Sequence, residues 1–472
     1  EIEHMVREVE SLQAININHQ KREEELSSAF QAKDTHIREI EDSIVWQLLM
    51  NYQKVTDALL PRGTNRRRYY DAWLLWMRRW FNRKKKSFKK NKVAINPDAY
   101  DRTKAVDIIC FPIINWDFRY QRPQQLLSKF AKDGYRVFYL TVDLMPLNIK
   151  YSVREIQKNI WELMPSISTK FNAYRDTLDK GQIDSFISSI DQVKKDFDIA
   201  KALCFVAFPK WEPIVSKLRD IHGWKIIYDC LDEHTGFSNV DNSIVHEEGM
   251  LIKRSDLVIV TSSHLYNKVK EYRNDVLLIP NAGDFEHFSE LPKNNLLKNI
   301  KKPIIGYYGA IAEWFDNELL EFLASKRKNW NFVLIGHTFG SNIRKLQEFH
   351  NVHFLREKEY SELPKYLYWF DVCIIPFKIT PLIEATHPVK FYEYLSSGKP
   401  VVSVKLPELL PYHDLCYLAE DNEDFLKKIE MALEEEGFET ERRIEFARSN
   451  TWNDRYATLA THAEEIFEEA DN

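Results

Sequence analysis

Apolar runs of four to seven residues recur along the chain from residue 104 onward, and polar, helix-like stretches separate many of them. In the first half these runs are VDIICF, VFYLTV, ALCFVAF, KIIYDC, DLVIVT and DVLLIP. Continuous apolar runs are typical of strands that are buried on both faces of a parallel sheet. The pattern therefore predicts βα units that build a mostly parallel sheet with helices on both faces.

The same pattern begins again after PNAGDFEHFSELPKNN, with the runs PIIGYYG, NFVLIG, VHFL, DVCIIPF and PVVSV. Helices are predicted after Asp316, near 341–349 and after Ser361. The repeat predicts two successive doubly wound α/β domains, at residues 104–290 and 291–440, followed by a helical segment at 441–472. A ligand of such a pair is expected between the domains, outside the carboxyl ends of the strands.

A heptad pattern replaces these runs in the first fifty residues. Nine of the fourteen a and d positions from Ile2 to Gln47 are apolar, and no Pro or Gly precedes Pro61. This pattern predicts a long coiled-coil helix over residues 1–60, which would serve for self-association or as a spacer to a partner domain. The alternative is a single long helix that lies on the rest of the protein.

A strongly basic segment follows the predicted coiled coil. Residues 61–92 hold thirteen Lys or Arg against one acidic residue, whereas the whole chain has a net charge of −5. Trp73, Trp76 and Trp80 fall at helical spacing among these cations, which is typical of a helix in a membrane interface. We expect residues 61–103 to associate with a membrane. Single-stranded nucleic acid is a rival partner that the acidic remainder of the chain disfavours, and a solvated linker is the third alternative.

Composition adds three expectations. A chain of 472 residues with 44% apolar residues can build two or three cores. Its five cysteines lie in apolar runs without metal-ligand spacing, which suits a reducing cytosol. No run approaches the ~20 apolar residues of a membrane span, no signal peptide opens the chain, and the start at Glu1 indicates a piece of a longer protein.

Several motifs beyond residue 104 carry a family resemblance. These are WDFRYQRPQQLL (116–127), YDCLDEHTGF (228–237), PNAGDFEHF (280–288), GYYGAIAEWFD (306–316), DVCIIPF and, most specific, THPVKFYEYLSSGKPVVS (386–403). Together they resemble the retaining family 4 glycosyltransferases of GT-B fold, in which two Rossmann-like domains face a cleft. They are most similar to members that build O-antigen, teichuronic acid and other surface polysaccharides.

The resemblance implies a donor site at the last of these motifs. A helix that starts near His387 would direct its N–H groups and its dipole at the diphosphate of a UDP-, dTDP- or GDP-sugar. Pro388 would preset its first turn, with Thr386 as the cap. Lys390 would add positive charge at the phosphates as the leaving group departs, and Glu393 would accept hydrogen bonds from the ribose hydroxyls. The alternative is an ordinary buried helix on which Lys390 and Glu393 form a solvated pair.

Two positions depart from the family pattern. The family has an earlier glutamate that contacts the sugar, eight positions before the second, and here that position is Ala385 with Glu384 beside it. Either Glu384 replaces the missing glutamate or backbone groups of 385–387 hold the sugar. The loop 309–316 also lacks the Arg and Lys that the family commonly places there, although Gly309 would still allow close backbone approach. Lys390 or an arginine of the first domain would then supply the missing charge.

Polar residues after the first strand of the first domain are the candidates for contacts with phosphate or with an acidic acceptor. Arg119, Gln121 and Arg122 lie there, at the usual mouth of such a sheet. For each arginine the alternative is a salt bridge at the start of the following helix.

A second acceptor-side group follows the strand KIIYDC. Asp232 is the candidate for orienting or deprotonating the acceptor hydroxyl, with Glu233 beside it, and Asp229 is expected to have a structural role. A histidine beside a loop is more often a surface hydrogen-bonding group, so His234 is left out of the site, whereas His387 is kept as a donor-binding candidate.

The resemblance implies transfer without a metal or a cofactor, and no Asp-x-Asp motif follows a predicted strand. Our first hypothesis is a retaining glycosyltransferase that extends a glycan or lipid-linked glycan on the cytoplasmic face of the cell membrane. A nucleotide-sugar epimerase of GT-B fold and a non-catalytic coiled-coil scaffold are the alternatives. Donor sugar, acceptor and linkage are not encoded in residue spacing.

Overall fold

A computed structural model of the chain describes residues 104–234, 243–338 and 341–471. The predicted coiled coil of residues 1–60 and the basic segment of residues 61–103 lie outside the described residues. Two parallel sheets organise the described part, and each sheet has its own apolar core.

The first sheet has eight strands in the order β10-β9-β8-β7-β1-β2-β5-β4. Every strand pair in it is parallel except β4 with β5. β3 and β6 form a separate antiparallel pair. The bounds are β1 Val106–Phe111, β2 Arg136–Leu140, β3 Asp143–Leu144, β4 Tyr151–Gln157, β5 Ile160–Pro165, β6 Phe171–Asn172, β7 Lys201–Val206, β8 Lys225–Cys230, β9 Leu257–Val260 and β10 Val276–Leu278.

Six helices accompany these strands. They are α1 Arg122–Lys132, α2 Lys180–Asp196, α3 Glu212–His222, α4 Ile244–Arg254, α5 Ser263–Lys270 and α6 Phe285–Phe288. Pro123 lies in the first turn of α1, and Gly134 follows its end with a φ of +94°, as the sequence predicts. The side chain of Asp179 caps α2 by accepting a hydrogen bond from the Gln182 N–H.

The second sheet has six parallel strands in the order β13-β12-β11-β14-β15-β16. Their bounds are β11 Ile304–Tyr308, β12 Asn331–Ile335, β13 Val352–Phe354, β14 Val372–Ile375, β15 Val401–Val404 and β16 Tyr417–Ala419. The helices that follow are α7 Asn317–Lys326, α8 Arg344–Gln347, α9 Leu363–Leu367, α10 Pro381–Glu384, α11 Val389–Ser396, α12 Asn422–Leu433, α13 Phe438–Arg448 and α14 Trp452–Asp471. Asp316 caps α7, so the helix predicted after this residue is present.

The last helix, α14, packs on the first sheet although it follows the second in sequence. Trp452, Leu459 and Ala463 belong to the same apolar core as Leu126 and Phe130 of α1. Within the predicted helical segment at 441–472, α14 therefore stabilises the first domain, whereas Ala447 of α13 belongs to the apolar core of the second. The predicted domain boundaries remain a prediction, with each sheet lying inside its own predicted range.

The cysteines are buried, as their positions in apolar runs predict. All five are unpaired. Within the described ranges, no helix combines the length and the apolar character that crossing a bilayer requires.

Candidate functional site

Two glycines follow neighbouring strands of the second sheet, Gly309 after β11 and Gly336 after β12. Gly309 has a φ of +137°, and a Cβ atom added to it would lie 2.9 Å from Cε of Lys390. A Cβ atom on Gly336, after the neighbouring strand β12, would lie 1.8 Å from the Gly309 carbonyl oxygen. The two loops therefore approach each other at backbone distance, and only glycine fits at both positions. The missing side chain at Gly309 leaves space that the end of the Lys390 side chain occupies.

Helix α11 follows residues 385–388, lies close to Gly309 through Lys390, and begins with unpaired backbone donors. Pro388 is its N-cap residue, and the backbone N–H groups of Val389 and Lys390 have no hydrogen-bond partner among the described residues. The prediction that Thr386 caps this helix is wrong, because the Thr386 hydroxyl donates to the Leu382 carbonyl of the preceding turn at 2.8 Å. The helix N-terminus therefore keeps donors that are available to an anion.

The Lys390 ammonium is held between aromatic rings and not by an acid. Its Nζ lies 5.5 Å from the ring centroid of Tyr307 and 5.2 Å from that of Phe377. Among the described residues it forms no ion pair or hydrogen bond. Burial lowers the pKa of Lys390, Glu393 opposes this shift, and the charge of Arg119 adds to it. A half-buried cation without an acidic partner at a helix N-terminus is suited to an anionic ligand.

Glu393 lies on the same helix and is buried at 7% exposure. The Tyr308 hydroxyl donates to its Oε2 at 2.8 Å. Burial raises the pKa of Glu393, whereas the hydrogen bond from Tyr308 and the charge of Lys390 lower it. Lys390 and Glu393 are therefore not the solvated surface pair of the alternative interpretation, because neither is fully exposed and their charges influence each other.

Arg122 and Asp229 join the first helix of the first domain to the end of β8. Both side chains are buried, at 4% and 0% exposure, and Nε of Arg122 lies 2.9 Å from Oδ2 of Asp229. Nη1 of Arg122 donates to the Ile279 carbonyl at 3.0 Å, and its Nη2 has no partner among the described residues. The structural role expected for Asp229 is present, and the salt bridge considered for Arg122 is formed.

Arg119 reaches the second domain. Its Nε lies 2.9 Å from Oε1 of Glu357, which follows β13, and its charge lowers the pKa of Lys390. Nearby, Nε2 of Gln125 donates to the Tyr360 hydroxyl at 3.0 Å. Gln121, a candidate for contacts with phosphate or an acidic acceptor, is the N-cap residue of α1. Its backbone N–H donates to Oε1 of Gln124 at 3.2 Å.

Asp232 is a half-buried carboxyl group at the carboxyl end of β8. It makes no hydrogen bond or ion pair within the part of the chain that the structure describes. Burial, together with the charge of Asp229, raises the pKa of Asp232 to about 7. Such a group can exchange a proton with a ligand near neutral pH.

The neighbours of Asp232 are arranged differently. Glu233 accepts a hydrogen bond from Nζ of Lys268 at 2.9 Å in a largely buried ion pair. The surface role considered for both histidines is wrong, because His234 and His387 are 0% and 3% exposed, and the donor-binding role of His387 stays a prediction. Burial lowers the pKa of His387 to about 3, so this imidazole is neutral.

The structure also describes Ala385, the position where the family pattern has a glutamate. Ala385 is fully buried, whereas the adjacent Glu384 is half-buried and has no hydrogen bond or ion pair from its carboxylate within the described ranges. The loop 385–388 then leads directly into α11. Glu384 is thus uncommitted, and backbone groups of this loop remain near the helix N-terminus.

The structure brings together Gly309, Lys390 and Glu393 at the carboxyl end of β11, with Arg119 within electrostatic reach. The sequence reasoning missed Tyr308, Glu357 and Tyr360. Tyr308 is signalled only by its place at the end of the apolar run PIIGYYG. No group of three or more His, Cys, Asp or Glu side chains that could hold a metal ion occurs in the described residues.

Comparisons with known proteins concern the family and the fold of the chain. Residues 302–435 match the model of a family described as "Glycosyl transferases group 1". "Putative teichuronic acid biosynthesis glycosyltransferase TuaH" of Bacillus subtilis (strain 168) is 26% identical over 318 residues, which cover 62% of this chain and 79% of that protein.

Solved structures of similar fold cover most of both chains. Sucrose-phosphate synthase from Thermosynechococcus elongatus superposes with a TM-score of 0.59 at 14% identity, over 77% of this chain and 100% of that one. Anabaena Alr3699/HepE in complex with UDP-glucose gives a TM-score of 0.56 at 14% identity, over 76% and 99%. The predicted GT-B fold is confirmed, and the chain is a glycosyltransferase whose residues 302–435 match the glycosyl transferases group 1 family.

Proposed function

We propose that this chain transfers a sugar from a nucleotide-sugar donor to a hydroxyl of a glycan or lipid-linked glycan and retains the anomeric configuration. One observation carries the proposal. An unpaired, half-buried ammonium, that of Lys390, lies beside Gly309 at a helix N-terminus with free N–H groups, and a buried glutamate follows one turn later. A diphosphate and a ribose would satisfy these groups together.

Each donor-side residue then has a role. The N–H groups at the start of α11 and Lys390 bind the diphosphate and stabilise its charge as the bond to the sugar breaks. Glu393 accepts hydrogen bonds from the ribose hydroxyls. Gly309 and the backbone of 386–388, which comprises Thr386, His387 and Pro388, allow the donor to approach closely. Glu384 contacts the transferred sugar in place of the glutamate that Ala385 replaces.

The acceptor side belongs to the first domain. Asp232 orients the acceptor hydroxyl and accepts its proton, for which a pKa of about 7 is well matched to neutral pH. As the bond from the sugar to the departing phosphate breaks, the acceptor oxygen forms the new bond on the same face. Arg119 supplies positive charge across the domain interface. The segment after β1 and the segment after β8 form the acceptor side, which includes Gln121, Arg122 and Glu233.

The biological setting extends the proposal. We propose a family 4 enzyme of surface-polysaccharide synthesis of O-antigen or teichuronic acid type, which the similarity to TuaH supports. It would act in the cytoplasm at the inner face of the cell membrane, with residues 61–92 in contact with anionic lipid and residues 1–60 forming a homo-oligomer or a spacer.

Nucleotide release tests the catalytic proposal. The protein is incubated with UDP-, dTDP- and GDP-sugars, with and without a lipid-linked or oligosaccharide acceptor, and the release of nucleoside diphosphate is measured. We expect release with one donor class, and an anomeric proton coupling in the product that matches the donor linkage. Inversion would exclude the retaining mechanism. No release with any donor and acceptor would overturn the transferase proposal.

Vesicle flotation tests the membrane proposal separately. The full chain and a variant lacking residues 61–92 are mixed with anionic or neutral vesicles. We expect the full chain to float with anionic vesicles and the deletion variant to stay in solution while keeping its activity on a soluble acceptor. Equal flotation of the two proteins would refute the role of this segment.

A further inference from the structure

Tyr308 is the only hydrogen-bond partner of the Glu393 side chain among the described residues. Its hydroxyl lies 2.8 Å from Oε2 of Glu393, and both residues are buried. This contact joins the last residue of β11 to the second turn of α11. It therefore fixes the carboxylate relative to the loop that contains Gly309.

The ring of Tyr308 is itself held in place. It stacks on Phe288 with a centroid distance of 6.0 Å and an interplanar angle of 4°, and it meets Tyr394 edge-on at 5.0 Å. The Tyr308 N–H donates to the Tyr394 hydroxyl at 3.2 Å. A ring packed on two sides has little rotational freedom, so its hydroxyl presents a fixed direction to Glu393.

The hydrogen bond leaves most of the carboxylate free. An ionised carboxylate has about four acceptor positions, and Tyr308 occupies one of them on Oε2. Both oxygens can still accept a hydrogen bond, which matches two neighbouring hydroxyl groups. A protonated carboxyl group would lose part of this capacity, and burial favours protonation. A donor to the ionised form opposes that effect.

We propose that Tyr308 is a positioning residue for the donor nucleotide. Its hydroxyl orients Glu393 by donating to Oε2, so that the carboxylate accepts both ribose hydroxyls. This inference rests on the proposed function, because it requires that Glu393 faces the ribose. Tyr308 touches the carboxylate and not the reacting atoms, and it therefore affects nucleotide affinity more than the chemical step.

Binding of UDP and of 2′,3′-dideoxy-UDP to the Tyr308→Phe variant tests the inference. Calorimetry on the full chain gives the affinity ratio of the two nucleotides, and GDP with its dideoxy analogue is used in parallel. We expect the wild type to prefer the nucleotide with both hydroxyls by at least about tenfold. In Tyr308→Phe the preference is expected to shrink about tenfold, through weaker binding of UDP, while dideoxy-UDP binds as before.

Tyr417→Phe is the matched control. The Tyr417 hydroxyl donates to Oε2 of Glu435 at 3.0 Å in the same domain, but this pair does not contact Glu393. Loss of this hydroxyl should leave the UDP preference unchanged. The cycle with Glu393→Gln supplies a second measurement, because Tyr308→Phe should cost little more affinity once the carboxylate is gone.

The outcomes separate the two proposals. A wild type that prefers UDP, together with a Tyr308→Phe variant that keeps the full preference, would overturn the role of Tyr308 and leave the donor site intact. Additive losses in the cycle would do the same. A wild type that binds UDP and dideoxy-UDP equally, or binds no nucleotide, would overturn the ribose contact of Glu393 and the inference with it. Melting curves of each variant show that the comparison concerns folded protein.

Discussion

Replacement of Lys390 by methionine should remove most of the catalytic activity without unfolding the protein. The substitution keeps the length of the side chain and its contacts with the rings of Tyr307 and Phe377, and it deletes only the charge. Because Lys390 forms no ion pair among the described residues, its loss breaks no salt bridge. The variant removes the charge that would face the leaving phosphate, and it also removes a charge that lowers the pKa of Glu393.

The size of the effect follows from the environment of the ammonium. A unit charge about 4 Å from a phosphate oxygen contributes about 4 kcal/mol at an effective dielectric constant of about 20. Removal of one preorganised charge-stabilising donor from an active site costs about 100- to 1,000-fold in kcat. Lys390 is already partly desolvated, since burial lowers its pKa, so little of this interaction is lost to water. We therefore expect kcat to fall about 100- to 1,000-fold, with a smaller change in KM.

The assay is nucleoside diphosphate release at saturating donor and acceptor, with Lys399→Met as the control. Lys399 is also half-buried, burial also lowers its pKa, and its Nζ lies 5.3 Å from the ring centroid of Tyr368. It precedes β15, at the amino ends of the strands, away from α11's N-terminus. We expect the control to keep its activity. Near-normal kcat in Lys390→Met, or an equal loss in Lys399→Met, would refute the assignment.

Three further changes test the same site. The pH dependence of kcat/KM should be a narrow bell, because burial raises the pKa of Glu393 and lowers the pKa of Lys390. A flat profile between about pH 5 and about pH 10 would contradict this prediction. Asp229→Asn leaves the charge of the buried Arg122 without an acidic partner. We expect the free energy of unfolding to fall by about 3–5 kcal/mol and Tm to fall by about 6–20 °C in thermal unfolding. An unchanged Tm would show that the ion pair is not needed for stability. Gly309→Ala places a methyl group 2.9 Å from Cε of Lys390 and should lower kcat about 10- to 100-fold in a folded protein, whereas full activity would mean that the displaced ammonium is not needed.

Most interior strands were predictable because both faces of the sheet are covered, although the interior strand β5, IWELMP, was missed. Runs such as VDIICF and DVCIIPF are apolar at nearly every position because helices pack on both sides of them. The edge strand β4 was missed, since its sequence YSVREIQ has exposed or half-buried side chains throughout. It pairs antiparallel with β5 and has a free edge, so burial leaves no continuous apolar run for the sequence to show.

The donor-side residues of α11 were predictable because they lie in one short segment of sequence. Pro388, Lys390 and Glu393 lie within six residues, so helical geometry alone relates them. The partner of Glu393 was not predictable, because Tyr308 is 85 residues away in sequence. The same applies to Arg119 and Glu357, which are 238 residues apart and meet only when the two domains are folded against each other. Contacts of this kind depend on tertiary packing and not on local spacing.

The charge at the phosphates explains why this interdomain contact matters. The loop 309–316 has no Arg or Lys, so within it only backbone groups can face a donor. Arg119 belongs to the first domain, yet its charge lowers the pKa of Lys390 in the second, and Glu357 holds its guanidinium at the interface. A diphosphate at the start of α11 would therefore find one cation on its own domain and a second cation supplied across the interface. In the proposed mechanism, the full positive charge at the leaving group exists only when the acceptor domain is in place, which joins donor activation to the presence of the domain that presents the acceptor.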